Sequence, residues 1–81
     1  MARLRVMSWR GDSSYEWNPQ RVAIGDPDSA AAVREAERIF REERARGSTA
    51  FRVRPGELGE KIDTFDPNAE QIVMIPRVAG G

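Results

Sequence analysis

The chain has 81 residues, enough for one domain, with thirteen Lys and Arg balanced by thirteen Asp and Glu and with no Cys and no His. A chain of this size buries only about 60–65% of the surface its unfolded form exposes, which leaves room for one thin core and argues against an enclosed substrate cavity. Without Cys there is no thiolate nucleophile, disulfide or sulfur ligand, and without His no imidazole base or ligand, so most hydrolase, redox and zinc chemistry falls away.

Leu4 to Arg10 mixes β-branched and aromatic residues with alternating polar ones, and Gly11-Asp12-Ser13-Ser14 has turn chemistry, which predicts a first strand and a hairpin. Tyr15-Glu16-Trp17 continues as a second strand, which Arg21 to Ile24 is expected to extend or end, with Pro19 as an interruption. Asp26 then offers an N-cap carboxylate, Pro27 suits the first helical position, Asp28 adds negative charge to the first turn, and Ala30 to Arg46 are nearly all helix formers. Val33, Ala36, Ile39 and Phe40 share one face, Glu37/Arg41 and Glu42/Arg46 pair on the other, and Gly47 caps the end. This predicts one amphipathic helix of about five turns.

Thr49 to Arg54 alternates as a third strand, stopped by Pro55-Gly56, and Lys61 to Phe65 reads as a short fourth strand after a glycine-containing loop. Asp66-Pro67 repeats the helix-start signature with room for a single turn before Glu70. Gln71 to Ile75 is an apolar run without alternation, the pattern of a central strand covered on both sides or on one side plus an edge. Pro76 stops it. The expected organisation is a domain over 1–76 and a flexible tail over 77–81. The element order places the chain in the α+β class, as a mixed sheet of four or five strands wrapped on one helix, with the most apolar strand central beside the first.

Several local patterns have competing readings. Arg10-Gly11-Asp12 spells a cell-adhesion tripeptide but sits where a hairpin turn is expected. Trp9, Tyr15, Trp17 and Phe51, interleaved with Arg10, Arg52 and Arg54, could stack on single-stranded nucleic acid, yet in so small a domain aromatics are expected in the core and in cross-strand pairs. The zero net charge also argues against nucleic acid as a partner. Asp63, Asp66 and Glu70 lack the spacing of a calcium loop and read as a cap and a solvated surface, so neither metal nor cofactor is expected. The stripe Arg34, Arg38, Arg41 could meet an acidic partner. No apolar run exceeds five residues, against the roughly 20 needed to cross a bilayer, so a cytoplasmic protein without a membrane partner is expected.

The element order, ββαββ(turn)β, together with Ile75-Pro76-Arg77-Val78-Ala79-Gly80-Gly81, resembles the β-grasp superfamily of ubiquitin and the bacterial sulfur carriers, whose chains end in an apolar strand, one or two prolines and Val-Ala-Gly-Gly. The segment Ser8 to Trp17 does not resemble any of these proteins. The resemblance implies a protein that is not an enzyme, whose Gly81 carboxylate is adenylated by an activating enzyme that itself binds ATP and magnesium. Gly80, Ala79, Val78 and Arg77 would thread that enzyme's channel, where glycine, lacking a Cβ, passes closest to the walls. It further implies a conjugating enzyme, a deconjugating protease and target proteins, or else a thiocarboxylate that delivers sulfur for cofactor biosynthesis. A small adaptor with no C-terminal chemistry is the remaining class. Phe51, Val53, Ile72 and Met74 are candidates for core or for partner docking, since a one-residue register error would exchange their faces. Lys61, the sole lysine, is the candidate self-acceptor.

Overall fold

The computed structural model describes residues 1–77. Five strands form one sheet: β1 (Ala2–Val6), β2 (Ser13–Trp17), β3 (Thr49–Val53), β4 (Glu60–Ile62) and β5 (Gln71–Ile75), with helices α1 (Pro19–Ala23) and α2 (Pro27–Ala45) between β2 and β3. The spatial order is β2-β1-β5-β3-β4. β1 and β5 run parallel at the centre, with Leu4 opposite Ile72 and Val6 opposite Met74, and every other pairing is antiparallel. The protein is thus a small α+β domain with a five-stranded mixed sheet and one main helix, and its last strand is central beside its first.

Helix α2 forms where the sequence signals it. The Asp26 carboxylate accepts from the Ser29 amide at 2.9 Å, Pro27 opens the first turn, and Gly47 follows the last turn at φ 99°, a left-handed conformation that L side chains rarely adopt. Ser29, Ala36 and Phe40 are buried on its inner face, with Ala32, Val33 and Ile39 half-buried beside them. They cover the sheet face made by Ala2, Leu4, Trp17, Ala50, Ile72 and Met74. Trp17, Leu4, Ile72 and Met74 are the largest fully buried side chains, each contributing about 1.5–3 kcal/mol of apolar burial. Trp17 ties the core to the β4–β5 connection, since its indole Nε1 donates to the Pro67 carbonyl at 2.8 Å and its ring leans on Phe65 at 5.4 Å.

Several sequence expectations are corrected. The first strand, expected over Leu4 to Arg10, ends at Val6, with Trp9 and Arg10 in the turn, and Ser13 and Ser14 belong to β2. Arg21 to Ile24, expected to extend or end the second strand, instead lie in and just after α1 (Pro19–Ala23): Asn18 caps it by accepting from the amides of Gln20 and Arg21, and Pro19 occupies the first turn. The Asn-Pro pair is therefore a helix start of the same kind as Asp26-Pro27, and β2 ends at Trp17. The segment after Asp66 makes a turn and not a turn of helix, closed by the Ala69 amide on the Asp66 carbonyl and the Asn68 amide on its carboxylate. The fourth strand is three residues long, Glu60–Ile62, because Asp63 and Thr64 bend away, and Phe65 then packs on Trp17 and Phe40.

Candidate functional site

Strand pairing sorts the side chains of the sheet onto two faces. Leu4, Val6, Tyr15, Trp17, Ala50, Ile62, Ile72 and Met74 lie toward α2, and the opposite face, which neither helix covers, carries Arg3, Arg5, Glu16, Phe51, Val53, Lys61, Val73 and Ile75. Phe51, Val53 and Val73 on this open face are half-buried, and Ile75 is 43% exposed. The Gly59 backbone runs close against two of them, since a Cβ added there would lie 3.7 Å from both Phe51 and Val53. Arg3 pairs with Glu16 at 2.8 Å and Arg5 with Asp12 at 2.7 Å, so the β1–β2 flank of the apolar strip is closed by neutral ion pairs.

The four docking candidates therefore divide. Phe51 and Val53 stand on the open face, whereas Ile72 and Met74 are fully buried against α2 and are core residues. Val73 and Ile75 take their places on the open face. The parallel register, with Leu4 opposite Ile72, turns the alternate members of β5 outward. The apolar run of β5 thus marks a central strand covered on one face only. Lys61, the self-acceptor candidate, is exposed on β4 opposite Phe51.

The end of the sheet at which β5 finishes holds a second group. Pro76 is half-buried, and the Arg77 side chain lies over Gly47, the residue after the C-cap of α2; a Cβ at Gly47 would sit 3.1 Å from the Arg77 Cδ. Arg77 thus lies at the carbonyl end of the helix, where a guanidinium is favoured by the helix dipole. Val78, Ala79, Gly80 and Gly81 lie outside the described residues. At the same end of the sheet the Met7 amide donates to the Met74 carbonyl at 2.9 Å, which sets Met7 beside Ile75. The β1–β2 hairpin tip follows, carrying Trp9 at 86% exposure beneath the Arg10 guanidinium, 5.0 Å from the ring centroid.

That exposure corrects the expectation that Trp9 packs in the core. The aromatic–arginine constellation is also dispersed: Trp17 is inside, Phe51 is on the open face, and Trp9 is at the hairpin tip. Arg52 faces the α2 side of the sheet and bridges Glu60 and Asp66, with Nη1 2.8 Å from the Asp66 carboxylate. The Arg52 hydrogen bond holds the Asp66 carboxyl below its ordinary range, and Asp63 is engaged by Arg44 at 3.2 Å. Among the described residues no group of three or more acidic residues could hold a metal ion. In the arginine stripe of α2, Arg38 pairs with Glu35 and Glu42 and Arg41 with Glu37, which neutralises much of its charge. No helix among the described residues is long and apolar enough to cross a membrane.

Comparison with known proteins places no relative beside these features: no family model, no curated protein and no solved structure matches the chain.

Proposed function

We propose that the protein is a ubiquitin-like β-grasp modifier whose Gly81 carboxylate is adenylated by a ubiquitin-activating type of enzyme and joined to target proteins. The observation that carries this reading is the sheet order β2-β1-β5-β3-β4 with its central strand leading, after Pro76, into Arg-Val-Ala-Gly-Gly. A strand held on both sides is a firm base from which a glycine-ended segment can reach another protein. The reading requires Gly81 to carry a free carboxylate in the cell. A carboxylate oxygen of Gly81 attacks the α-phosphorus of ATP and expels pyrophosphate; a partner thiolate then attacks the acyl carbon and expels AMP, leaving a thioester open to a target amine. None of these steps calls for a catalytic side chain from this protein. The open face, with Phe51, Val53, Val73 and Ile75, serves as the general docking surface for the enzymes of this sequence.

The ending Val78-Ala79-Gly80-Gly81 favours a second reading, in which sulfide attacks the adenylate and Gly81 becomes a thiocarboxylate for sulfur delivery. Incubation with the organism's own adenylating enzyme, ATP and magnesium, followed by intact mass spectrometry, tests the common step. An AMP adduct on Gly81 that vanishes when Gly80 and Gly81 are deleted supports it. Retention of the cellular phenotype by that deletion would point to an adaptor. Mass spectrometry of material from native cells separates the other two, since branched peptides with a Gly-Gly remnant indicate a modifier and replacement of oxygen by sulfur at Gly81 indicates a carrier.

A further inference from the structure

We propose that the β1–β2 hairpin tip, led by Trp9, is the anchor with which the protein grips the activating enzyme, by inserting the indole into an apolar slot rimmed by carboxylates. The inference rests on the tail-activation reading above and adds to it a contact outside the sheet face.

Single exposed apolar side chains are common on protein surfaces. Trp9 differs in standing on a hydrogen-bonded turn, under Arg10, while contributing nothing to the core. The Ser8 hydroxyl donates to the Gly11 carbonyl at 2.7 Å and accepts from the Arg10 amide at 3.2 Å, and the Gly11 amide donates back to the Ser8 carbonyl at 3.1 Å. Gly11 closes this turn at φ 122°, a conformation a side chain would resist. Arg10 then lies across the indole. An aromatic ring ordered before binding loses little freedom when it docks, and tryptophan is the residue most enriched among interface hot spots. Two other exposed apolar residues stand at the same end of the sheet, Met7 at 38% and Ile75 at 43%.

The placement identifies the partner. β1 and β5 are parallel and in register, so the tip continues beyond β1 at the end where β5 passes into Pro76 and Arg77. Four residues follow Arg77, and extended they reach about 13–14 Å. An enzyme that takes hold of Gly81 comes at least that close to this end. A footprint of about 800 Å² spans a radius of about 16 Å, which is wider than the tail's reach. The charge specifies the slot: Arg5 is neutralised by Asp12, whereas among the described residues no carboxylate lies within ion-pair distance of Arg10 or Arg77. The matching surface is therefore apolar at its centre and acidic at its rim.

The test is ATP–pyrophosphate exchange by the organism's adenylating enzyme, with this protein as the varied substrate. Trp9→Ala is expected to raise KM about thirty-fold with kcat nearly unchanged, the split of a contact made equally in ground and transition states. Trp9→Phe should recover part of the loss, and Arg10→Glu should raise KM by an amount that shrinks as salt is added. With fluorotryptophan-labelled protein, the Trp9 fluorine resonance should shift on adding enzyme while that of buried Trp17 stays. Adenylation of the wild type with KM unchanged in Trp9→Ala, or with a stationary Trp9 resonance, overturns the anchor and leaves tail activation standing. Absence of any Gly81 adenylate from the wild type overturns both.

Discussion

Replacing Trp17 with Phe and, separately, Trp9 with Ala sets the two tryptophans of this chain against each other. Trp17 is 2% exposed, leans on Phe65, and donates its indole N–H to the Pro67 carbonyl at 2.8 Å. Phenylalanine keeps an aromatic ring there but removes the donor and part of the volume. The lost hydrogen bond costs about 1 kcal/mol. The space vacated by the smaller ring adds about 1 kcal/mol at roughly 24 cal/mol per Å³. The sum, about 2 kcal/mol, is a large share of the roughly 4–12 kcal/mol expected for a domain of this length and lowers Tm by about 8–16 °C. Trp9→Ala removes an 86% exposed side chain and should shift stability by no more than about 0.5–1 kcal/mol, mostly its contact with Arg10. Urea unfolding followed by far-ultraviolet circular dichroism reads both variants without relying on the fluorophores being changed. A Trp17→Phe effect below about 0.5 kcal/mol, or one smaller than that of Trp9→Ala, would refute the assignment of core and surface roles.

Gly47→Ala should cost about 1–2 kcal/mol, from φ 99° and from a Cβ that meets Arg77 at 3.1 Å. Thermal melts should show a smaller loss in an Arg77→Ala background, where the steric part is relieved, and equal losses in both backgrounds would mean that Arg77 does not rest on Gly47. Acidification should destabilise the fold. The Arg52 hydrogen bond lowers Asp66, the Ser29 hydrogen bonds lower Asp26, and the Arg38 hydrogen bond lowers Glu35, below ordinary values of 3.8 for Asp and 4.5 for Glu. Because the unfolded chain binds more protons, this contribution is complete above those ordinary values and is lost as pH falls through the lower folded ones. Urea midpoints measured from neutral pH down through the carboxylate range should fall on this schedule, less steeply in Asp66→Asn, and a midpoint that holds or rises on acidification would contradict the ion-pair assignments.

The parts of the fold that were legible in the sequence are those whose signals are local. Asp26-Pro27, the apolar spacing through Phe40 and Gly47 delimit α2 to within a residue or two. Thr49 to Val53 is bounded by turn residues, and Gln71 to Ile75 by Pro76. The Asn18-Pro19 start of α1 carried the same kind of signal, an Asx cap followed by Pro, but the short run of β-formers behind it competes for strand, and only five residues of helix result. What stayed hidden depends on pairing. Strand β5 is apolar at every position from Ile72 to Ile75, so its own sequence has no parity from which to choose a face.

Strand β1 does have that parity, since Leu4 and Val6 alternate with Arg3 and Arg5, and the parallel pairing of Leu4 with Ile72 transfers it to β5. The transfer puts Ile72 and Met74 in the core and leaves Val73 and Ile75 outside, so one hydrogen-bonded register decides which residues of the last strand are available to a partner. The same pairing accounts for the candidate anchor. Had β1 and β5 been antiparallel, the β1–β2 hairpin would project from the end of the sheet where β5 begins, beside Glu70 and away from the tail. With them parallel, the hairpin tip and the exit of the tail share one end of the molecule, although Trp9 and Arg77 are separated by most of the chain. On the proposed reading, an enzyme that engages the tail would meet Trp9 as a consequence of strand direction.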